Sequence, residues 1–211
     1  MKKKITIIDY GVGNILSITR AIEKCGEKSC VSKNSAEILS STHIILPGVG
    51  AFFPAMEKIK KNNLVNLIQD ISKKNIPLLG ICLGMQLLME TSEEFGLHKG
   101  ISLIKGNVIH VPKFSKKKIL KVPYVGWFPL ILKNNKKNDI LLKKINSTAR
   151  FYFVHSYMIE PKNSNIVAFY NNEGNKIPAV IRKNNVYGCQ FHPEKSGVNG
   201  LKLLKNFINL N

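Results

Sequence analysis

The clearest indication of the fold comes from residues 76–86, Ile-Pro-Leu-Leu-Gly-Ile-Cys-Leu-Gly-Met-Gln. A short apolar run, typical of a buried strand, breaks at Gly-x-Cys-x-Gly and continues as the pattern of an amphipathic helix. A nucleophile on such a tight turn points its side chain at a substrate, and flanking glycines relieve the crowding of a strained turn. The N-terminus of the helix behind it favours the thiolate. The stretch therefore predicts that Cys82 is a nucleophile.

A second motif supplies the base that a cysteine nucleophile needs. Residues 191–196 read Phe-His-Pro-Glu-Lys-Ser, so Cys82, His192 and Glu194 can form a triad in which the carboxylate orients the imidazole. His192 and Glu194 would share one face of a regular strand, but Pro193 makes a turn equally possible. Alone, a cysteine after an apolar strand is usually a buried small side chain, and a His-Pro pair is usually a turn. Their occurrence together, with a third motif, favours catalysis.

The third motif is Leu-Pro-Gly-Val-Gly-Ala-Phe at residues 46–52, after the apolar run 44–46. It lies at the end of a predicted strand, where open α/β sheets build their sites. A glycine-rich turn there can aim backbone N–H groups at an oxyanion, although many such turns are only turns. We expect Val49, Gly50 and Leu83 to form an oxyanion hole.

Together the three motifs resemble the class I, triad-type glutamine amidotransferases. Residues 8–14 (Ile-Asp-Tyr-Gly-Val-Gly-Asn), 121–127 (Lys-Val-Pro-Tyr-Val-Gly-Trp) and 152–157 (Tyr-Phe-Val-His-Ser-Tyr) narrow the resemblance to the glutaminase subunits of imidazole glycerol phosphate synthase. The similarity runs from Ile5 to the C-terminal helix, with the motifs in the family's order. The resemblance implies one glutaminase domain over residues 1–211, with no cofactor and no metal.

The resemblance also implies the reaction. The Cys82 thiolate attacks the side-chain amide carbon of L-glutamine, and His192 protonates the departing ammonia. His192 then activates the water that hydrolyses the γ-glutamyl thioester, while Glu194 orients the imidazole. The products are glutamate and ammonia.

Other roles follow only from the resemblance, and each has a plainer alternative. Gln86 would otherwise be a helix-surface residue, Tyr157 a sheet aromatic, Asn14 a helix cap and Trp127 a core residue. By resemblance Asn14 and Trp127 face the partner. The residues that would hold the α-amino and α-carboxylate groups of glutamine are Gly50, Gln86, His155, Ser156 and Tyr157.

The partner implied by the family is a (β/α)8-barrel cyclase in a heterodimer, which uses the ammonia to make imidazole glycerol phosphate in histidine biosynthesis. The family generally has His where this chain has Tyr124 and Asn where it has Phe128. Both departures lie near the expected interface, so the identity of the synthase that receives the ammonia stays open. The alternative is a paralogous glutaminase subunit that supplies a sugar-modifying amidotransferase in surface polysaccharide biosynthesis, which residues 93–100 also resemble.

Two other classes of protein are weighed against this interpretation. A cysteine peptidase could use the same triad, but the glutamine-type elbow favours a small amide substrate. A nucleic-acid-binding module would explain the net charge of +19, yet no basic motif interleaved with aromatics, no helix-turn-helix signature and no zinc knuckle accompanies it. We therefore expect solvated lysines and no nucleic-acid partner.

Composition fits one α/β domain. The chain has 211 residues, of which 44% are apolar, and no apolar run approaches the ~18 residues of a membrane span. We expect no membrane partner and, with a thiolate nucleophile and no export signal, a cytoplasmic enzyme. Strands and helices alternate up to the nucleophile, and short β-rich segments follow residue 106. The predicted fold is a largely parallel sheet flanked by helices, with a mixed β extension.

Overall fold

The computed structural model describes residues 3–115, 118–136 and 138–210. Over these residues the chain forms an eight-stranded, a four-stranded and a two-stranded sheet. The helices are α1 (Ile15–Lys24), α2 (Ser35–Leu39), α3 (Phe52–Lys61), α4 (Leu64–Lys73), α5 (Leu83–Leu87) and α6 (Gly197–Ile208). The strands are β1 (Ile5–Ile8), β2 (Ser29–Ser32), β3 (His43–Leu46), β4 (Leu78–Ile81), β5 (Thr91–Ser92), β6 (His98–Lys99), β7 (Gly106–His110), β8 (Tyr124–Pro129), β9 (Ile131–Leu132), β10 (Arg150–His155), β11 (Tyr157–Pro161), β12 (Ile166–Asn172), β13 (Asn175–Lys183) and β14 (Val186–Cys189).

The eight-stranded sheet has the order β2-β1-β3-β4-β14-β13-β12-β9. Strands β2, β1, β3, β4 and β14 run parallel, and β13, β12 and β9 add antiparallel. This confirms the predicted α/β fold with a mostly parallel sheet. The carboxyl ends of β3, β4 and β14 lie side by side, so the three sequence motifs that follow these strands meet at one edge of the sheet.

Buried apolar residues cover both faces of this sheet. On one face, α1 and α6 pack with strand residues such as Ile7, Ile45 and Leu79. On the other, α3, α4 and α5 pack with residues such as Ile44 and Leu78. Successive residues of β3 therefore enter different cores, which explains the apolar run at residues 44–46.

The mixed β extension consists of the two smaller sheets. Strands β11, β7, β5 and β6 form one, and the antiparallel pair β8 and β10 forms the other. The hairpin of β5 and β6 projects residues 93–97 beside the start of α3, where the rings of Phe53 and His98 lie 4.5 Å apart. Both small sheets border the edge of the large sheet where the motifs meet.

Five local features differ from the sequence expectation. Strand β2 and helix α2 were not expected, because the edge strand Ser29–Ser32 is polar and α2 has only five residues. The strand predicted over residues 128–132 begins instead at Tyr124, and β11 was not foreseen. Helix α5 is not amphipathic: it is buried on every side between the sheet and the turn that follows β3. In the described part of the chain, no helix is long and apolar enough to cross a membrane.

Candidate active site

Cys82 occupies a strained turn between β4 and α5. Its backbone has φ 52° and ψ −112°, a region that residues with a side chain rarely enter and that costs about 1–3 kcal/mol. The turn holds because Cys82 N–H donates to the Cys189 carbonyl at 2.8 Å. It also needs a glycine at position 84, where a Cβ would lie 2.0 Å from the Leu46 carbonyl oxygen. Strain held by packing on all sides is typical of a functional position.

The base and its orienting carboxylate come from the turn after β14. His192 Nδ1 lies 2.8 Å from Glu194 Oε1, and both side chains are buried. Pro193–Lys195 forms a 3₁₀ helix, so the turn that proline allowed is the geometry found. Ser196 Oγ donates to the His192 carbonyl at 2.6 Å and accepts from Tyr152 N–H at 3.0 Å, which ties this turn to β10.

Electrostatics favour a protonated imidazole at this position. Burial alone lowers the pKa of His192, but its hydrogen bonds to Cys82 and Glu194 and the charges of both groups raise the pKa well above the ordinary value. The imidazole of His192 therefore favours its protonated form beside Cys82. A thiolate beside an imidazolium is the reactive pair that nucleophilic attack on an amide requires.

The turn after β3 packs directly against the nucleophile's helix. A Cβ on Gly48 would lie 2.4 Å from Gly84 N, so only glycine allows this contact. The Tyr10 hydroxyl donates to the Pro47 carbonyl at 2.7 Å and fixes the start of the turn. Gly50 has φ +88° and is exposed. The first part of this turn is thus held by packing, whereas its last residues are open to solvent.

These elements enclose a cavity of about 350 Å³. It brings together the predicted triad histidine and cysteine, the oxyanion-hole candidates and the substrate-binding candidates, and Glu194 stands behind His192. Asn14 and Trp127 do not line it. The lining residues are Val49, Gly50, Cys82, Leu83, Gln86, Glu94, Pro123, Val154, His155, Ser156, Tyr157, His192 and Lys195.

Gln86 is not a helix-surface residue, because it is 5% exposed. Its Nε2 donates to the Tyr157 carbonyl at 3.0 Å and lies 3.1 Å from Gln190 Oε1. Gln190 is fully buried, and its Nε2 lies 3.6 Å from Cys82 Sγ. Gln190 was not among the predicted site residues. The signal that could have found it is its position two residues before His192, at the end of the strand paired with β4.

His155 is neutral and its tautomer follows from its neighbours. The Tyr157 carbonyl can only accept, so His155 Nδ1 donates to it at 2.8 Å, and Nε2 accepts from the Tyr170 hydroxyl at 2.7 Å. Burial lowers the pKa of His155 to about 4, a shift that the hydrogen bond to the Tyr157 carbonyl opposes. His155 therefore lines the cavity as an oriented, uncharged ring.

Glu94 is a second site residue that sequence reasoning did not single out. It is 8% exposed and lines the cavity, and its Oε2 accepts from Phe52 N–H at 2.6 Å. Burial raises the pKa of its carboxyl group, while the hydrogen bond from Phe52 lowers it. The β5–β6 hairpin has no local pattern that predicts this placement.

The two residues expected at the partner interface lie outside the cavity. Trp127 is 48% exposed and packs on Tyr152 with ring centroids 5.7 Å apart, so it is not a core residue. Asn14 occupies the N-cap position of α1, but its side chain makes no capping hydrogen bond. Both residues keep their partner-facing roles as predictions.

Strand alternation places the two departures from the family pattern on the same side of β8. Along β8, Val125 and Trp127 point outward, whereas Tyr124 is buried and Phe128 is half-buried. The Tyr124 hydroxyl donates to the Pro112 carbonyl, and the Phe128 ring packs 4.9 Å from that of Tyr170. Both side chains therefore make contacts within the chain, and both also line a neighbouring cavity.

The described residues include no group of three or more His, Cys, Asp or Glu side chains that could hold a metal ion.

Comparisons with known proteins agree with this arrangement. The family model "Glutamine amidotransferase class-I" matches residues 6–210. The chain is 43% identical over 206 residues to the imidazole glycerol phosphate synthase subunit HisH of Lactococcus lactis, with 98% of each chain covered. It is 44% identical over 203 residues to the subunit of the same name from Caldanaerobacter subterraneus, with 96% of each covered.

Solved structures agree at the level of the fold. PurLQS from Thermotoga maritima superimposes with a TM-score of 0.72 at 20% identity, over 99% of each chain. A glutamine amidotransferase from the same organism superimposes with a TM-score of 0.64 at 16% identity, over 98% of this chain and 96% of that one. From the family model and the close relatives, the chain belongs to the class I glutamine amidotransferases and, within them, to the family of HisH subunits.

Proposed function

We propose that this chain is the glutaminase subunit of imidazole glycerol phosphate synthase. It hydrolyses L-glutamine to glutamate and ammonia and passes the ammonia to a (β/α)8-barrel cyclase in histidine biosynthesis. The observation that carries the proposal is the placement of Cys82, the buried His192–Glu194 pair and a glycine-rich turn around one cavity of about 350 Å³. The relatives named HisH support the pathway.

Two stages of the reaction place opposite demands on His192. For attack, it carries the proton and leaves Cys82 as the thiolate; it then gives this proton to the departing ammonia. Once the sulfur is acylated, its negative charge no longer raises the pKa of the imidazole. Burial lowers that pKa, so the neutral ring is available as a base for water, while Glu194 still holds Nδ1. The same geometry therefore serves both stages.

Backbone groups are the proposed oxyanion hole. The N–H groups in the first turn of a helix have no intrahelical acceptor, and Leu83 is the first residue of α5. Val49 and Gly50 line the same cavity as Leu83. A negative oxygen formed at the amide carbon between these segments would accept from both.

Recognition of the amino-acid end of glutamine is assigned to Gln86, Glu94 and residues 155–157. Both hydrogens on Gln86 Nε2 are used by the Tyr157 carbonyl and Gln190 Oε1. Only the side-chain carbonyl oxygen of Gln86 is thus left for the substrate, and it can accept from an ammonium group. The Glu94 carboxylate supplies a negative charge opposite that ammonium group. Backbone groups of residues 155–157 and Gly50 would hold the α-carboxylate.

The partner is proposed to cover the exposed residues next to the cavity. Trp127 and Asn14 would lie in that interface, because an aromatic side chain half out of the surface is a typical interface anchor. Four free cysteines occur among the described residues, and with a thiolate nucleophile they favour the reducing cytoplasm as the place of action.

The test measures glutamine hydrolysis by the wild type and by Cys82→Ala, each alone and with candidate synthase subunits and their acceptors. We expect the histidine-pathway cyclase to stimulate hydrolysis by the wild type and not by Cys82→Ala. Stimulation only by a sugar-modifying partner would keep the triad and move the chain to the other pathway. An equal rate in Cys82→Ala would reject the nucleophile.

A further inference from the structure

The register of the central sheet places Gln190 beside the nucleophile. Strands β4 and β14 run parallel with Ile81 opposite Cys189, so Cys82 and Gln190 leave the sheet side by side. Gln190 N–H donates to the Ala179 carbonyl at 2.9 Å, and its side chain has no solvent exposure. A buried amide in this position must find partners for both its carbonyl and its NH₂ group.

One backbone carbonyl fixes which way this amide points. The Tyr157 carbonyl can only accept, so the end of Gln86 that lies 3.0 Å from it is the NH₂ end. The same nitrogen lies 3.1 Å from Gln190, which must therefore turn its own carbonyl toward Gln86. The NH₂ group of Gln190 is then left facing Cys82 Sγ, at 3.6 Å. Reversing either amide would bring two donors or two acceptors together.

The position of the Gln190 NH₂ group matters because few other groups stabilise a negative charge on the Cys82 sulfur. Cys82 is 7% exposed, and burial disfavours the charged form of a thiol. Helix α5 has only five residues, so the N–H groups of its first turn are its main contribution. His192 approaches the sulfur as one donor. A second N–H donor to a charged acceptor is the kind of hydrogen bond that contributes most.

We propose that Gln190 is a positioning residue whose side-chain NH₂ holds the Cys82 thiolate, in an orientation set by the Tyr157 carbonyl through Gln86. This deepens the proposed glutaminase function, because it rests on Cys82 acting as the nucleophile. The chain of hydrogen bonds thus runs from the Tyr157 carbonyl on β11, through Gln86 and Gln190, to the reacting sulfur.

The test is the rate at which iodoacetamide alkylates Cys82 as a function of pH, followed at that residue by peptide mass spectrometry. Gln190→Met keeps the volume and removes the donor, and Gln190→Glu puts a negative oxygen in its place. We expect Gln190→Met to react about tenfold more slowly at neutral pH, with its profile moved to higher pH. Gln190→Glu should be slower still, because like charges repel.

The control is Gln69→Met on α4. This variant also removes a glutamine side-chain hydrogen bond, which Gln69 donates to the Ile101 carbonyl at 3.0 Å. Its profile should superimpose on that of the wild type. Superimposable profiles for Gln190→Met and the wild type, with both proteins folded by near-ultraviolet circular dichroism, would overturn the proposal.

A second measurement needs no variant of Gln190. In the wild type, the NMR signal of the Gln190 side-chain NH₂ should shift over the pH range in which alkylation accelerates, and it should stay constant over that range in Cys82→Ala. A wild-type signal that stays constant over this pH range would overturn the proposal, even if Gln190→Met failed to fold. Alkylation requires no glutamine turnover, so failure of the glutaminase assay and failure of this test are separate results.

Discussion

The floor and the rim of the cavity are built in opposite ways. We define the floor as Cys82, Gln86, Gln190, His192 and Glu194. Each of these side chains is buried and has a partner inside the chain. They can therefore be in place for chemistry without any other molecule.

The rim is formed by exposed apolar side chains on segments that border the cavity. Their exposure ranges from 38% at Val49 to 84% at Phe95. A cluster of this kind gains from being covered by a partner and does little for the isolated chain. The rim consists of Val49, Phe95, Leu97, Val125 and Trp127. Under the proposed function, the floor would carry catalysis and the rim would contact the partner, so each role should be removable without the other.

The largest effect that would sharpen this contrast is expected at Glu194. Gln at this position can still accept from His192 Nδ1 but lacks the charge that stabilises the imidazolium, so Glu194→Gln should lower glutamine turnover about a thousandfold. Partner affinity, measured by titration calorimetry, should not change. The control is Glu93→Gln in the exposed part of the hairpin, which should retain wild-type turnover. Full activity in Glu194→Gln would mean that the buried pair is structural only.

Gly84 tests how tightly the floor is packed. An added Cβ would lie 2.0 Å from the Leu46 carbonyl oxygen, and neither backbone can yield without disturbing the core. We expect Gly84→Ala to lower the free energy of unfolding by about 3 kcal/mol or more, measured by urea denaturation. Gly174→Ala is the matched control: its Cβ meets nothing within 4 Å, but φ is +91°, so only about 1 kcal/mol should be lost. Equal losses would indicate a loosely packed floor.

His155, which shares the Tyr157 carbonyl with Gln86 of the floor, makes the stability of the fold depend on pH. Its pKa is about 4 in the folded chain and near 6.5 when unfolded, so the unfolded state binds more protons between these values. Stability should fall by about 3 kcal/mol as pH drops through this window. His192, whose pKa is raised, contributes stability below its ordinary pKa that is lost at higher pH. The measurement is the free energy of unfolding in urea, for the wild type and His155→Gln, from pH 7 to pH 4. The same dependence on pH in both proteins would mean that His155 is not the cause.

The smallest effect on the isolated chain is expected at the rim. Trp127→Ala should weaken association with the cyclase by about 2 kcal/mol, measured by titration calorimetry, because a half-exposed aromatic side chain would lose its covering partner. The alkylation rate of Cys82 should stay at the wild-type value. A variant with normal association but slow alkylation would break the division between floor and rim.

The sequence predicted the parts of the site whose chemistry demands particular residue types close together. The Gly-x-Cys-x-Gly turn and the His-Pro-Glu turn are such local patterns, and the parallel order of their strands brought them together as expected. Glu94 could not be predicted, because its place depends on a short hairpin that docks against α3. Gln190 follows only from the register of two strands that lie more than a hundred residues apart in the chain.

The fold shows the same limit. Strands β1, β3 and β4 have mostly apolar sequences because both of their faces are buried, and they were predictable for that reason. Strand β8 pairs with β10 across a long separation, so its start at Tyr124 depends on tertiary contacts that no local pattern reports.

The Tyr157 carbonyl accepts from both Gln86 and His155, and it belongs to the main chain. No codon change at position 157 can delete this acceptor, whatever it does to the phenol ring. Substitutions at position 157 therefore leave the acceptor for both buried side chains in place, and the ring itself is free to change. A change in the register of β11 against β7 would be harder to tolerate, because that one movement would misalign both side chains together.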